Sequence, residues 1–580
     1  MKAKHFLSIL FAIMLLVAAM GCGSSGGGGS DSSAIDSSDG SDESDGSGDD
    51  SETSDSSDSS PYAVSVAETA STYDVGDIVE NQTFNATIDI DFSENTARLS
   101  SDAAKNITAD GVTLLSVDGK RVSIAATDYG ITITSTVDIA VRYNLSGELD
   151  GTLSVLSDTV YQLYLNGVTI SGSAGPAFDL ESSQKAFIVT ASGTTNVLED
   201  ASYRSMTMKA ALYGKGPIVF SGEGAIVLSG NYKHGIYSKD YIRVCGGEMD
   251  IAVSMRDAIR AVNGFIFDDG EMVIDATGTI TDDESKGIKV EGEESTDGAG
   301  KGYIVINGGY LTVTSVGKAI TAGWDIDDDA ETADTSDDPF PYVEINNGVI
   351  DIVTTGTPYE YQIDGETVSC SPEGIEAKSD LTINSGYITI ETTDDSLNAG
   401  DSITINDGYL YCASSSNDAI DSNGTLAITG GVLVAIGASA PEGAFDCDQN
   451  TFAITGGTFV GIGGDLSMPS EATCNQNAVI LGSGTAGDTI GIQAEDGTVV
   501  FVFTAPESYE TMLLSSPDIE TGTRYTVSTG GTATAEETFY GLCLGVLSYS
   551  QGIAEESFLV SSCITNLGQD DPRDHGGFSW

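Results

Sequence analysis

The apolar residues of this chain fall into short runs rather than long amphipathic stretches. In segments such as 387–392 (Tyr-Ile-Thr-Ile-Glu-Thr) and 402–405 (Ser-Ile-Thr-Ile) every second residue is apolar, with Thr, Ser or Glu between. Alternation of period two, rich in Ile, Val, Thr and Tyr, predicts strands with one face turned inward. Helical signals are missing from the body of the chain.

The runs recur. Turn marks stand at Gly246-Gly247, Asp269-Gly270, Gly308-Gly309, Asn347-Gly348, Ser385-Gly386, Asp407-Gly408, Gly430-Gly431 and Gly456-Gly457. Between them lies a second mark, a small residue followed by an aliphatic one: Gly235-Ile236, Ala258-Ile259, Gly287-Ile288, Ala319-Ile320, Gly374-Ile375, Ser396-Leu397 and Ala419-Ile420. The undisturbed steps are 22 or 23 residues, too short for a propeller blade and free of helix, which fits one coil of a parallel β-helix. The expected fold is therefore all-β, a right-handed parallel β-helix of about 22–23 residues per coil, with longer steps carrying loops on the outside. Stacking at about 4.8 Å would turn equivalent positions into continuous columns.

Around this body the expected organisation is a signal peptide over residues 1–22, a linker over 23–60, an N-terminal β segment over 61–140, the coils over 141–470, and a C-terminal β cap and tail over 471–580. Lys2 and Lys4 precede an apolar run that ends at Gly21-Cys22, the layout of a secretory leader. Residues 23–60 are nearly all Gly, Ser, Asp and Glu, a composition that cannot bury a core. Downstream of Gly457 the repeat stops, and hairpin-like segments are expected to close the open strand edge.

Several stretches, among them 373–409, 417–431, 442–464 and 229–247, resemble a family of carbohydrate-binding β-helix domains on secreted bacterial proteins. The resemblance runs from about 140 to 530. It implies a polysaccharide-lyase-like fold that binds rather than cleaves cellulose and acidic plant polysaccharides, with calcium on the coils. The residues around Cys22 resemble the lipobox of bacterial lipoproteins, with Ala19 in place of the usual Leu, which implies lipidation of Cys22 and an extracellular, cell-surface location.

Charge narrows the partners. Lys and Arg number 23 against 88 Asp and Glu, for a net charge of −65, which argues against nucleic acid and suits a soluble protein that collects divalent cations. A monomer is expected. Eight cysteines, with no CxxC pair, give neither a zinc signature nor a disulfide framework.

Two columns flank the small-aliphatic mark. The residues before it are His234, Asp257, Lys286, Lys318, Glu373, Asp395 and Asp418. Those after it are Tyr237, Arg260, Lys289, Thr321, Glu376, Asn398, Asp421 and Asp446. Carboxylates stacked at strand separation repel by about 1 kcal/mol even in water, so Glu373, Glu376, Asp395, Asp418 and Asp421 are candidate Ca²⁺ ligands; the alternative is solvated turn residues. Arg260, Lys286, Lys289 and Lys318 are candidate contacts to sugar carboxylates, or else partners of nearby acids. Tyr387 and Tyr409, following turn glycines as Tyr310 does, are candidate sugar-stacking rings, or else a structural stack.

The function expected is non-catalytic polysaccharide binding with calcium. The alternatives are a calcium-dependent pectate-type lyase, with Arg256, Arg260, Lys286 or Lys289 as base, and a structural or adhesive surface protein. No HExxH, nucleophile elbow or phosphate loop occurs.

Overall fold

The computed structural model describes residues 75–203, 209–278, 285–292, 302–324, 340–363 and 366–568. The chain divides into two units between Pro61 and Tyr62. The expected signal peptide, Cys22 and the acidic linker lie outside the described residues.

The second unit is all-β, and its body is a β-helix-like stack of parallel strands on three faces. One coil shows the logic. Ile375–Ala377 forms the short face, Asp380–Ile383 the second and Tyr387–Thr392 the third. The next coil repeats them as Leu397–Ala399, Ser402–Ile405 and Tyr409–Ser414. Each strand pairs in parallel with its equivalent, Ile375 on Leu397, Leu381 on Ile403 and Ile388 on Leu410. Alternation does the rest. Ile375, Leu381, Ile383, Ile388 and Ile390 are buried while the residues between face outward.

The small-aliphatic mark is the short face itself. Ile236, Ile259, Ile288, Ile320, Ile375, Leu397 and Ile420 stack one over another. Where the residue before the aliphatic one is glycine, the reason is visible: a Cβ on Gly374 would stand 2.4 Å from the Ser396 carbonyl oxygen. The turn glycines answer a different need. Gly408 has φ +102°, and a Cβ there would meet the Gly386 oxygen at 2.7 Å, a conformation and a gap that only glycine accepts without strain. The 55-residue step from Ala319 to Gly374 carries an antiparallel hairpin, Tyr359–Ile363 with Glu366–Cys370.

On each of the three faces one inward ladder ends on an aromatic ring. Ile420 is followed by Phe445, Leu426 by Phe452 and Leu433 by Phe459. The ring of Phe445 lies 5.4 Å from Phe452 and 6.0 Å from Phe459, so the apolar interior is plugged at the last coil by residues large enough to fill its cross-section.

A polar ladder runs outside, two residues before the turn glycines. Asn346 donates to Asn307, Asn384 to Asn346 and Asn406 to Asn384, at 2.8–3.0 Å. Asn307 in turn donates to Asp268, which pairs with the buried Arg243 and through it with Asp77. Asp77 also accepts from Lys185 and Tyr241, fastening the N-terminal 3₁₀ turns Val75–Asp77 and Val79–Asn81 to the coils. Replacing Asn384 by Ala takes away the donor to the half-buried Asn346 side-chain carbonyl and the acceptor of the half-buried Asn406 side-chain amide. The expected cost is about 1–2 kcal/mol, read as a lower urea midpoint at unchanged slope.

Parallel stacking reaches upstream to Ala86–Asp91, which pairs with Val141–Asp150, and to Gly130–Ser135, which pairs with Thr152–Ser157. Between them the chain turns antiparallel at Val112–Val117 and Lys120–Thr127. At the other end the last long strand, Thr458–Gly463, pairs antiparallel with Thr511–Ser515, which covers what would otherwise be an open edge. A six-stranded antiparallel sheet, from Thr489–Ala494 to Ile553–Leu559, then packs on the outside of the third face. There Val434, Ile436, Val460 and Ile462 share a second apolar core with Phe501, Phe503, Met512, Leu514 and Tyr525.

Candidate cation and carbohydrate site

The outward column of the short face stacks as the spacing requires. Tyr237, Arg260, Lys289, Thr321, Glu376, Asn398, Asp421 and Asp446 are successive register partners. The companion column is held by backbone bonds: the amides of Gly235, Ala258, Gly287, Ala319, Gly374 and Ser396 donate to the carbonyls of Asp257, Lys286, Lys318, Glu373, Asp395 and Asp418. Both columns line a narrow strip in which Asp257, Glu373, Glu376, Asp395 and Asp418 are nearly all enclosed.

Along the strip the charges sort into three zones. In the first, Arg260 and Lys289 both pair with Glu291, Lys289 at 2.7 Å, and Arg260 also lies 3.8 Å from Asp257. Burial works against ionisation of Asp257, but His234 at 3.2 Å together with Lys286 and Lys289 outweighs it and holds the carboxyl well below its usual range.

In the second zone Lys318 Nζ sits 2.6 Å from Glu373 and 3.1 Å from Glu376. Glu376 also accepts from Lys378 and, at 2.6 Å, from Thr321. The two glutamates diverge accordingly. Burial and then the charge of Glu376 push the Glu373 carboxyl up, and its Oε2 is buried without a hydrogen bond. For Glu376, Lys318 and Lys378 overcome burial and hold the carboxyl low.

The third zone is acidic throughout. Asp395 is pushed up to about 9 by burial, then by the charges of Glu373 and Asp421. Asp418 and Asp421 are each raised to about 7, mainly by burial, with Asp446 adding to both. Oxygens of Asp418, Asp421 and Asp446 lie within 4.8 Å of one another, and among the described residues no basic side chain pairs with them. Asp418 and Asp446 also line a cleft of about 690 Å³ with Asn450, Asp465 and Ser467. Here Asp418 accepts from the Gly443 amide at 2.6 Å and Asp446 from Ser467 Oγ at 2.6 Å.

This cluster suits a hard divalent cation. Two oxygens bound to one Ca²⁺ at 2.3–2.6 Å can stand at most about 5 Å apart, so these three carboxylates need little movement to share an ion. Asp446 completes the group. It stands in the same column one coil after Asp421, but the aliphatic position of the mark is Phe445 there, and the spacing has stretched to 25 residues. Of the expected ligands, Asp418 and Asp421 meet in this cluster, Asp395 adjoins it one coil earlier, and Glu373 and Glu376 stand with lysines.

Tyr387 and Tyr409 stack at 6.0 Å, as their register predicts. Phe539 of the C-terminal sheet sets its edge against both rings, at 5.7 and 5.4 Å. Tyr310 belongs to the same column with Val349 between, and is 57 % exposed.

Comparison with known proteins adds a class to this geometry. Residues 127–419 match the model of the carbohydrate-binding domain-containing protein family; the chain belongs to that family. A relative described as a carbohydrate-binding domain-containing protein, from Acetivibrio thermocellus, is 27 % identical over 154 residues, covering 25 % of this chain and 49 % of its own length. The chain thus spans about half of that curated relative. A solved structure titled as the polysaccharide lyase-like protein from C. thermocellum, a gadolinium derivative, is 21 % identical, covers 46 % of this chain and 94 % of its own, and has a TM-score of 0.32. The match to the family model ends before Asp421, so Asp421, Asp446 and the C-terminal sheet lie beyond it.

Proposed function

We propose that this protein is a non-catalytic polysaccharide-binding protein of the cell surface, working as a monomer on a right-handed coil and exported and lipid-anchored through Cys22. Calcium held by Asp418, Asp421 and Asp446 bridges to carboxylates of an acidic glycan. The observation that carries the reading is the convergence of those three carboxylates, unaccompanied by a basic partner among the described residues, at a cleft on a chain of a carbohydrate-binding family. When bound, the ion supplies positive charge and open coordination positions. Asp395 adjoins the cluster one coil earlier, where it accepts from the Asp418 amide at 3.1 Å, and the Gly443 amide and Ser467 hydroxyl hold two of the carboxylates in place.

Binding is favoured over lyase chemistry by the placement of the bases. Lys289 and Asp421 are separated by four coil steps, about 19 Å along the column, too far for one sugar unit to touch both. Arg260, Lys289 and Lys318 are engaged with Glu291, Glu373 and Glu376.

Retention on insoluble polygalacturonate and on cellulose, with calcium or with a chelator, tests this reading. Retention on polygalacturonate should need calcium and should be lost in Asp421→Asn/Asp446→Asn, with no unsaturated-product absorbance. A protein held by neither polysaccharide would remove the proposal, and steady release of unsaturated product would replace it with the lyase.

A further inference from the structure

Cys474 and Cys563 are free thiols, and although far apart in sequence they are brought together. The strand Ala478–Leu481 pairs in parallel with Ile564–Asn566, Ala478 on Ile564. That pairing puts Cys563 at the foot of the strand, where its carbonyl accepts from the Ala478 amide at 2.8 Å. Its thiol then reaches the segment just before Ala478, and Cys563 Sγ donates to the Cys474 carbonyl oxygen at 3.1 Å. The Cys474 segment is itself tied to the last coil. Asn475 donates to the Ile454 carbonyl, and Cys474 Sγ lies 3.8 Å from the Phe452 oxygen. Backbone partners thus hold both residues, and Cys474 belongs to the main apolar core against which Cys563 packs.

We propose that Cys474 and Cys563 form a disulfide when the protein meets an oxidising environment, and that this bond staples the base of the C-terminal sheet to the coils. The two positions are 89 residues apart, and all six strands of the C-terminal sheet lie between them. One crosslink therefore closes a loop containing the whole sheet. It reinforces the place where the chain returns from the sheet to the coils, a strand, Ile564–Asn566, only three residues long.

The chemistry needs a disulfide donor, either a small-molecule disulfide or the active-site disulfide of a thiol oxidase. Cys563, half-buried, is the thiol such a donor can reach. Its thiolate attacks the donor and forms a mixed disulfide, releasing one thiol. Cys474 then loses its proton to solvent and attacks the Cys563 sulfur, expelling the second thiol. The Cys474–Cys563 bond forms, and its two electrons leave on the donor, now reduced to two thiols. Cys474 is 5 % exposed and burial raises its thiol above the ordinary range, so this second step sets the rate and quickens with pH. A long enclosed loop is the case in which a crosslink stabilises most, since it removes the most freedom from the unfolded chain.

The test oxidises the reduced full chain with oxidised glutathione, then unfolds it, alkylates free thiols and maps peptides without reduction. The expected result is loss of two alkylatable thiols, a peptide pair joining Cys474 to Cys563, and a thermal midpoint several degrees above that of the reduced protein. Cys563→Ser, at a half-buried position, should keep the reduced midpoint and lose both the crosslink and the gain. If Cys474→Ser does not fold, the Cys563 variant alone decides. Full alkylation of every thiol after oxidation, or crosslinks confined to other cysteines, would overturn the staple.

Discussion

Replacing Lys318 by Met should cost about 3–5 kcal/mol of stability in alkaline solution, above about pH 8, because there it leaves a buried, ionised carboxylate without its cation. Lys318 is the basic partner shown for Glu373, whereas Glu376 keeps Lys378 and Thr321. The penalty should fall on Glu373, already pushed up by burial. The direction with pH follows. A carboxyl whose folded value lies above its unfolded one keeps its proton in the folded state, so its stability is complete below the unfolded value and is lost as pH rises through the folded one. The deficit of Lys318→Met should therefore be small from pH 4.5 to neutral and grow as pH rises through about 8. Adding Glu373→Gln should restore most of it. Denaturant titrations of the native, single and double variants across that range check this, and a deficit independent of pH would mean the lysine acts by packing alone.

The second large effect concerns the acidic zone itself. Asp395, Asp418 and Asp421 carry folded values of about 9, 7 and 7 against an unfolded aspartate near 4. With chelator present, stability should drop between about pH 4 and pH 9 as each gives up its proton. Calcium should reverse the drop at the alkaline end. An ion binding only the folded state adds about 2.7 kcal/mol at one hundred times its dissociation constant. Calorimetry at pH 5 and pH 8, with calcium or chelator, should show little response at the lower pH and a clear rise in midpoint at the higher one. The response should disappear in Asp421→Asn/Asp446→Asn. Identical traces at pH 8 with and without calcium would sink the cation site, while leaving the family assignment standing.

Both predictions depend on residues that the sequence orders into columns, and on partners it does not reveal. A step of 22 or 23 residues reads directly as stacking, because each coil bonds to the next through its own equivalent. Hence Ile375 over Leu397, Glu376 over Asn398 and Tyr387 over Tyr409 were legible. Which charges meet within the columns was not. Arg260 and Lys289 turn to Glu291, two residues along the strand from Lys289, and side-chain direction across coils leaves no periodic trace. The asparagine ladder and the three closing phenylalanines do have a repeat signal, at a fixed offset from the turn glycines and at the inward positions of the last coil.

The C-terminal sheet marks the other limit. Its strands were legible as antiparallel hairpins, but not that Phe539 would lie against Tyr387 and Tyr409, well over a hundred residues away, nor that Cys563 would reach Cys474. By itself the sequence determined the all-β class, the coil period and the columns, because local alternation and a regular repeat translate directly into hydrogen-bonded register. Only the tertiary structure decided which carboxylates receive a lysine, which are left to share a cation, and what the C-terminal sheet covers. Those outcomes come from side chains meeting across long chain separations, where burial and neighbouring charge, rather than spacing, set the energy.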